Sequence, residues 1–309
     1  MKYHVEKSIK INASMDVVKK HIEDFALWNA WSPWTMADKD CEIEVSGNPG
    51  QPRHSMSWNS DIIGSGTNTL VSSDDRGYHY DLAFLSPMKS KAKTSLLLEE
   101  KGGGVMVTWT MDGKLPFFLF FMAAMMKNWI GMDYDRGLRM LKSVAETGTV
   151  PATTTNRGIQ DFNGFSYVGI ERTVHFDDLP KAMSKDFDTL IEEVVMKRQK
   201  GAKHWVTLYP KMNMKTMNMT YIAAVSDEDL EGQEFDDRFV RGTLSSTKAL
   251  EIKHEGSYEF LGNAWSMGMT YLRAKKIKQI WQPFEYYWNS PKETAPEDLK
   301  TSIYFPVKH

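Results

Sequence analysis

The segment Phe284–Pro291, FEYYWNSP, places one carboxylate among aromatic rings. Glu285 follows a phenylalanine and precedes two tyrosines and a tryptophan. A carboxylate beside aromatic faces attracts organic cations through its charge and through cation–π contact. If it is withdrawn from water, its pKa rises toward the range that suits general acid–base chemistry. The alternative is a surface strand in which this acid pairs with a lysine or arginine, and the segment alone permits both interpretations.

Other reactive constellations are not apparent in the sequence. The single cysteine, Cys41, cannot form a disulfide within the chain and is expected in a half-buried strand. The segment Glu100–Gly104, EKGGG, lacks the Gly-Lys-Ser/Thr ending of a phosphate loop and predicts a hairpin turn. The eight histidines are scattered, and no Ser-His-Asp set is visible. We therefore expect no metal site and no cofactor.

Composition indicates an ordinary globular protein. Its 309 residues correspond to roughly two domains, and the net charge of −2 gives no electrostatic reason to expect a nucleic-acid partner. The N-terminus has no apolar signal-peptide core, and the single cysteine fits the reducing cytoplasm. The longest apolar run, Leu115–Met126, is far shorter than the about 20 residues of a membrane span and predicts the start of a buried helix.

The elements that would position these residues change character along the chain. Alternating runs predict a first strand at Tyr3–Asn12 and five or six antiparallel strands between Cys41 and Met111. Ser14 is a candidate N-cap for a helix between these regions. A later helix has an apolar stripe and a C-cap glycine, formed by Ile130, Tyr134, Leu138, Leu141, Ala145 and Gly148.

A Thr-rich segment separates this half from the next. Residues 149–164 are small and polar and predict a linker between domains at 1–148 and 165–309. The second half repeats the order strand, helix, strand, strand, which predicts two tandem β-α-β-β units. The fold class is therefore α+β throughout.

The stretch Phe25–Trp34, FALWNAWSPW, and the closing helix Gly131–Glu146 resemble the polyketide cyclase/dehydrase branch of the START-like superfamily (SRPBCC). The resemblance implies a helix-grip fold, in which a long helix is held by a curved antiparallel sheet around a cavity. Trp28, Trp31 and Trp34 either plug one end of that sheet or stack on a ligand. Buried aromatic residues serve the first purpose more commonly.

The second half resembles the gyrase-inhibitor-like effector-binding domains, which also occur in multidrug-responsive regulators. The matching motif positions are His254, Gly256, Tyr258, Pro283, Glu285, Tyr287, Asn289 and Pro291. The resemblance implies that Glu285 faces an aromatic-lined cleft between the two β-α-β-β units. We expect the walls of that cleft to be Trp205, Tyr221, Trp265 and Tyr287.

Three functions are consistent with the sequence. The first is a cytoplasmic module that binds small hydrophobic, possibly cationic, molecules without a DNA-binding domain. The second is a small hydrolase of electrophilic compounds, in which Glu285 activates water and Tyr258 or Tyr287 donates a hydrogen bond. The third is an interaction protein that acts on another protein through its surface.

Overall fold

A computed structural model describes residues 2–115, 122–196, 203–226 and 234–308. The chain divides into two compact units, Met1–Pro151 and Ala152–His309. Within the described residues, no helix has both the length and the apolar composition required to cross a membrane. The predicted helix start inside Leu115–Met126 lies mostly outside the described residues, which resume at 122.

The first unit contains one seven-stranded antiparallel sheet and two main helices. Its helices are α1 (Met15–Glu23) and α2 (Ala123–Thr147). Its strands are β1 (Lys2–Ile11), β2 (Glu42–Ser46), β3 (Ser55–Ser60), β4 (Gly64–Asp74), β5 (Gly77–Ser86), β6 (Ser90–Lys101) and β7 (Gly104–Lys114). The order β1-β7-β6-β5-β4-β3-β2 is a meander whose first strand closes onto the last. The long helix α2 packs chiefly on β1, as a helix-grip fold requires.

Both predicted helix caps are confirmed. The Ser14 hydroxyl accepts a hydrogen bond from the backbone N–H of Val17 at 3.4 Å, which satisfies one of the free donors at the start of α1. At the other end of the unit, Gly148 adopts a left-handed backbone with φ 86°, and its N–H bonds to the Val144 carbonyl at 2.8 Å. Glycine adopts this conformation without steric cost, so it ends α2.

The tryptophans of the WNAWSPW stretch are packed into the core of this unit. Trp28 and Trp31 are buried, and their indole N–H groups donate to the carbonyls of Ile22 and His21, near the C-terminal end of α1, at 3.0 and 3.1 Å. Trp31 also packs edge-on against Trp109 of β7 at 5.5 Å. Because their polar atoms are satisfied by backbone, this packing supports the plug interpretation for these two rings.

The second unit contains an eight-stranded antiparallel sheet. Its strands are β8 (Ala152–Phe162), β9 (Phe165–His175), β10 (Trp205–Asn213), β11 (Asn218–Ser226), β12 (Val240–Leu244), β13 (Thr247–Gly256), β14 (Phe284–Tyr287) and β15 (Lys300–Pro306). Its main helices are α3 (Leu179–Leu190), which continues as a π-helical turn (Ile191–Met196), and α4 (Gly262–Ala274). The sheet order is β12-β9-β11-β10-β14-β15-β13-β8.

This order confirms the two tandem units. The sequence β9-α3-β10-β11 repeats as β13-α4-β14-β15, and the third element of each repeat, β10 and β14, pair at the centre of the sheet. Each half of the sheet is therefore related to the other by a pseudo-twofold operation. The joint between the halves runs between β10 and β14.

The predicted linker at 149–164 is wrong for residues 152–162, which form the edge strand β8. Ten of its eleven residues pair with β13, so the segment is part of the sheet. Its threonines are β-branched and fit a strand whose outer positions face water. Where the predicted order strand, helix, strand, strand has one strand after Phe239, the structure has two, β12 and β13. They meet at a tight corner where Gly164 N–H donates to Ser246 Oγ at 3.0 Å.

Candidate functional site

The helix-covered face of the second sheet carries Glu285. Side chains alternate along a strand, so Glu285 and Tyr287 of β14 point to one face, while Phe284 and Tyr286 point to the other. Phe284 packs in a core cluster with strand residues alone, whereas the clusters of the helix-covered face include α3 and α4 residues together with Trp265. Because β14 lies between β10 and β15, Glu285 lies at the joint between the two repeats.

Glu285 is buried, with 4% of its surface exposed. The indole N–H of Trp265 on α4 donates to its Oε1 at 2.6 Å, and the Tyr287 hydroxyl donates to its Oε2 at 2.5 Å. None of the described lysines, arginines and histidines forms an ion pair with it. The interpretation as a surface acid paired with a base therefore does not describe this residue.

Burial raises the pKa of Glu285 above its ordinary value of 4.5. Hydrogen bonds from Tyr287 and Trp265 oppose this effect by stabilising the charged form, but desolvation is the larger contribution. The carboxyl group thus holds its proton more tightly than an exposed glutamate does. A buried carboxyl group with a raised pKa can bind a cationic ligand when it is ionised, and it can also transfer a proton in a reaction.

A backbone turn positions Tyr258 beside this acid. The buried His254 donates through Nε2 to the Ser257 carbonyl at 3.0 Å, and Gly256 supplies a φ of 126°. The Tyr258 ring then lies edge-on to Tyr287 with centroids 6.0 Å apart. Burial and the nearby Glu285 charge raise the pKa of Tyr258 to about 12, so its phenol remains a hydrogen-bond donor at neutral pH. In this motif the histidine and glycine shape the turn, and the tyrosine reaches the site.

The remaining walls come from β10 and α3. Trp205 pairs directly with Tyr287 across the strands, and Phe187 of α3 packs edge-on against Tyr287 at 5.7 Å. Tyr209 lies four residues after Trp205 on β10 and on the same face of the strand, and its ring packs edge-on against Trp265 with centroids 5.1 Å apart. The sequence analysis did not assign Phe187 and Tyr209 to the site. Strand alternation from Trp205 could have identified Tyr209, whereas Phe187 needed the position of α3.

Tyr221 has a different environment from the other predicted walls. Its ring is fully buried beneath α3, and its hydroxyl donates to Asp186 Oδ2 at 2.6 Å. Arg172 pairs with both oxygens of the same carboxylate at 2.5 and 2.8 Å. The phenol is therefore held by a buried carboxylate whose cationic partner, Arg172, is partly exposed, and no hydrogen bond links it to Glu285.

Within the described ranges, no group of three or more histidines, cysteines, aspartates and glutamates is arranged to hold a metal ion. The arrangement around Glu285 offers an acid, phenols and ring faces instead. Such a set can recognise an organic cation or can polarise a bound water.

Family models cover almost all of the chain. Residues 2–146 match the model for polyketide cyclase/dehydrase and lipid transport, and residues 158–308 match the GyrI-like small molecule binding domain. A search of curated proteins found no significant match.

Solved structures align with about half of the chain. The C-terminal domain of EcmrR is 19% identical, with a TM-score of 0.39 over 51% of this chain and 98% of that one. The integron cassette protein VCH_CASS2 of Vibrio cholerae is 19% identical, with a TM-score of 0.37 over 50% and 99%. The Aha1 dimer of Colwellia psychrerythraea is 16% identical, with a TM-score of 0.36 over 48% and 99%. From the family models, residues 2–146 of the chain belong to the polyketide cyclase/dehydrase and lipid transport family, and residues 158–308 belong to the GyrI-like small molecule binding family.

Proposed function

We propose that the second unit binds small hydrophobic cations at Glu285, between the rings of Trp205, Trp265 and Tyr287. The observation that carries this proposal is a buried carboxylate whose described partners are neutral donors on aromatic rings. A charge in this environment has lost most of its hydration, and a cation that reaches it compensates that loss. Tyr258, 36% exposed, is the most exposed of these site residues, so a ligand would enter the site beside it.

Binding by this mechanism strengthens as Glu285 ionises. Because the free carboxyl has a raised pKa, protonation competes with the cation below that pKa, and affinity increases as pH rises through it. Aromatic faces add cation–π attraction of about 0.5–2 kcal/mol each. A neutral ligand of the same shape gains only the contact with the rings, so it binds without this pH dependence.

The test uses tetraphenylphosphonium as the cation and triphenylphosphine oxide as a neutral probe. Indole N–H resonances report the site directly, and the peak of Trp265 among the 10 tryptophans is assigned by Trp265→Phe. We expect the cation to shift the Trp265 peak and Glu285→Gln to weaken cation binding roughly tenfold or more. Neutral-probe affinity should change little.

The matched control is the exposed acid Glu293, changed to glutamine. Equal loss of cation binding in Glu293→Gln and Glu285→Gln would point to general surface charge. Cation binding that is unchanged in Glu285→Gln would refute the site.

A second candidate function is hydrolysis of electrophilic compounds at the same site. It is favoured by the raised pKa of Glu285 together with the Tyr258 phenol, which stays protonated beside it. Glu285 would take a proton from water as that water attacks the substrate, and Tyr258 or Tyr287 would donate a hydrogen bond to the developing oxyanion. An activated ester such as 4-nitrophenyl acetate tests this directly. Turnover should disappear in Glu285→Gln while neutral-probe affinity persists, and turnover equal to the spontaneous rate in the unaltered protein would reject it.

We further propose that the protein acts in the cytoplasm and without binding DNA. The single cysteine supports a reducing compartment, and the net charge of −2 supports the absence of DNA binding, because nucleic-acid binding depends on a surplus of basic groups. A mobility-shift assay with duplex DNA at low salt should show no complex.

A further inference from the structure

A second carboxylate lies among aromatic rings on the helix-free face of the eight-stranded sheet. Glu251 of β13 pairs across the strands with Tyr304 of β15, and the Tyr304 hydroxyl donates to its Oε1 at 3.3 Å. Ser302 of β15 also donates to Oε1, at 2.7 Å. These side chains occupy the face opposite to Glu285, because Ile303 and Phe305 of the same strand pack with α4.

A chain of hydrogen bonds fixes an exposed indole beside this acid. Trp288 donates through Nε1 to the fully buried Ser302 Oγ at 2.9 Å, and the same hydroxyl donates onward to Glu251. One side of the indole packs on Tyr286, with ring centroids 4.6 Å apart, while 54% of the tryptophan is exposed. Tyr286 is held in turn by His204, whose Nδ1 lies 2.6 Å from the phenol oxygen. The ring is therefore oriented before any ligand arrives.

The charge on Glu251 has no cationic partner among the described residues. Lys253, two positions along β13 on the same face, pairs with Glu255 at 3.0 Å, and Lys248 pairs with Asp161 at 2.6 Å. Only Oε1 of Glu251 accepts a hydrogen bond from the described residues, so Oε2 is available. A half-buried carboxylate with one free oxygen, next to an immobilised indole face, is a receptor for positive charge.

We propose that the group formed by Glu251, Ser302, Trp288, Tyr286 and Tyr304 is a second binding site, and that it takes an organic ammonium ion. The ammonium group would lie against Glu251 Oε2, and its substituents would contact the open indole face of Trp288. A small metal ion fits poorly, because one carboxylate and ring faces do not supply the several oxygen ligands that hard cations require. A diffuse organic cation gains from both the charge and the rings.

This site is separate from the proposed Glu285 site in its residues and in the face of the sheet that carries it. The two sites can be tested in one experiment, because in each one an indole N–H is held by the polar groups of the site: Trp265 donates to Glu285, and Trp288 donates to Ser302. The probe is benzyltrimethylammonium, titrated into the full chain labelled at the indole nitrogens. Trp288→Phe and Trp265→Phe assign the two reporting peaks.

We expect the Trp288 peak to shift saturably in the unaltered protein. Glu251→Gln should weaken that shift roughly tenfold or more while leaving the Trp265 titration unchanged, and Glu285→Gln should do the reverse. The control Glu293→Gln removes an exposed acid outside both sites and should leave both titrations unchanged. Loss of the Trp265 response alone would count against the proposed function and leave the second site standing.

Two results would overturn the second site. One is a Trp288 peak that does not move at saturating probe, and the other is a Trp288 titration that is equally strong in Glu251→Gln. If Glu251→Gln disturbs the other indole peaks, Trp288→Leu replaces it, with calorimetric stoichiometry as the readout. A stoichiometry that remains the same as in the unaltered protein would then reject the site.

Discussion

Glu285 shows how neutral donors can support a buried acid. Trp265 and Tyr287 each donate to one of its oxygens, so both are satisfied although the described residues include no basic partner. Neutral donors stabilise the charged form less than a cation would, and desolvation therefore dominates its pKa. The motif letters identified this acid, but the identity of its donors required the position of α4 against the sheet.

The pH dependence of stability should reveal Glu285. Its folded-state pKa lies above 4.5, so the native protein binds the proton more tightly than the unfolded chain does. Stability contributed by the protonated form is present below the unfolded pKa and is lost as pH rises through the folded value. Glutamine does not titrate, so Glu285→Gln does not lose this contribution as pH rises. The unfolding free energy of the variant should therefore increase relative to that of the unaltered protein as pH rises across that window. The measurement is urea unfolding at a series of pH values. A difference in unfolding free energy between the two proteins that does not change with pH would contradict this prediction.

The Tyr221 network should matter for stability and not for ligands. Arg172→Ala leaves Asp186, which is 1% exposed, without its cation. Because the arginine is 42% exposed and Tyr221 still donates to the acid, we expect a loss of about 1–3 kcal/mol. Tyr221→Phe removes one hydrogen bond to Asp186 and should cost about 1–2 kcal/mol. Both are measured by urea unfolding. A Tyr221→Phe variant that loses cation binding at unchanged stability would return Tyr221 to the walls of the site.

At the scale of elements, the contact between α4 and β15 determines where Trp265 lies. Gly268, one turn beyond Trp265, faces Phe305 so closely that an added Cβ would lie 2.1 Å from its Cε2. No side-chain carbon fits at that distance. The glycine therefore allows the helix to lie close to the sheet, which brings the indole N–H within reach of Glu285.

Gly268→Ala tests this approach. Alanine favours a helix by about 1 kcal/mol over glycine, yet overpacking should outweigh this and give a net loss of about 1–3 kcal/mol. We also expect weaker cation binding, because α4 must move away from β15. Met269→Ala, at the next and half-exposed position, is the control and should change the unfolding free energy little. A stabilised Gly268→Ala variant that keeps full affinity would show that the close approach is unimportant.

The sequence predicts correctly the features that depend on neighbouring residues alone, and it fails where an element depends on pairing with a distant part of the chain. Ser14 and Gly148 are caps whose backbone chemistry is local, and both were identified correctly. The threonines and the glycine of β8 are equally common in loops, and the sequence therefore predicts a linker there. The pairing of β8 with β13, about 100 positions away in the chain, is a long-range contact that the local pattern does not contain.

At the scale of the whole molecule, each unit has its own sheet, and β8 belongs to the second one. We predict that a fragment of residues 152–309 folds by itself, since it keeps every strand of the eight-stranded sheet. A fragment of residues 165–309 lacks β8 and exposes the edge of β13, so we expect it to be less stable and to aggregate. Thermal unfolding and light scattering of the two fragments provide the comparison. Equal stability of the two fragments would mean that β8 contributes nothing to the fold.

The most direct measurement is a carbon-13 NMR titration of the Glu285 side-chain carboxyl, with and without saturating tetraphenylphosphonium. The account predicts an apparent pKa above 4.5 in the free protein, and a lower one with the cation bound, because charge binding and proton release are linked. A pKa at or below 4.5 that the cation does not move would contradict it.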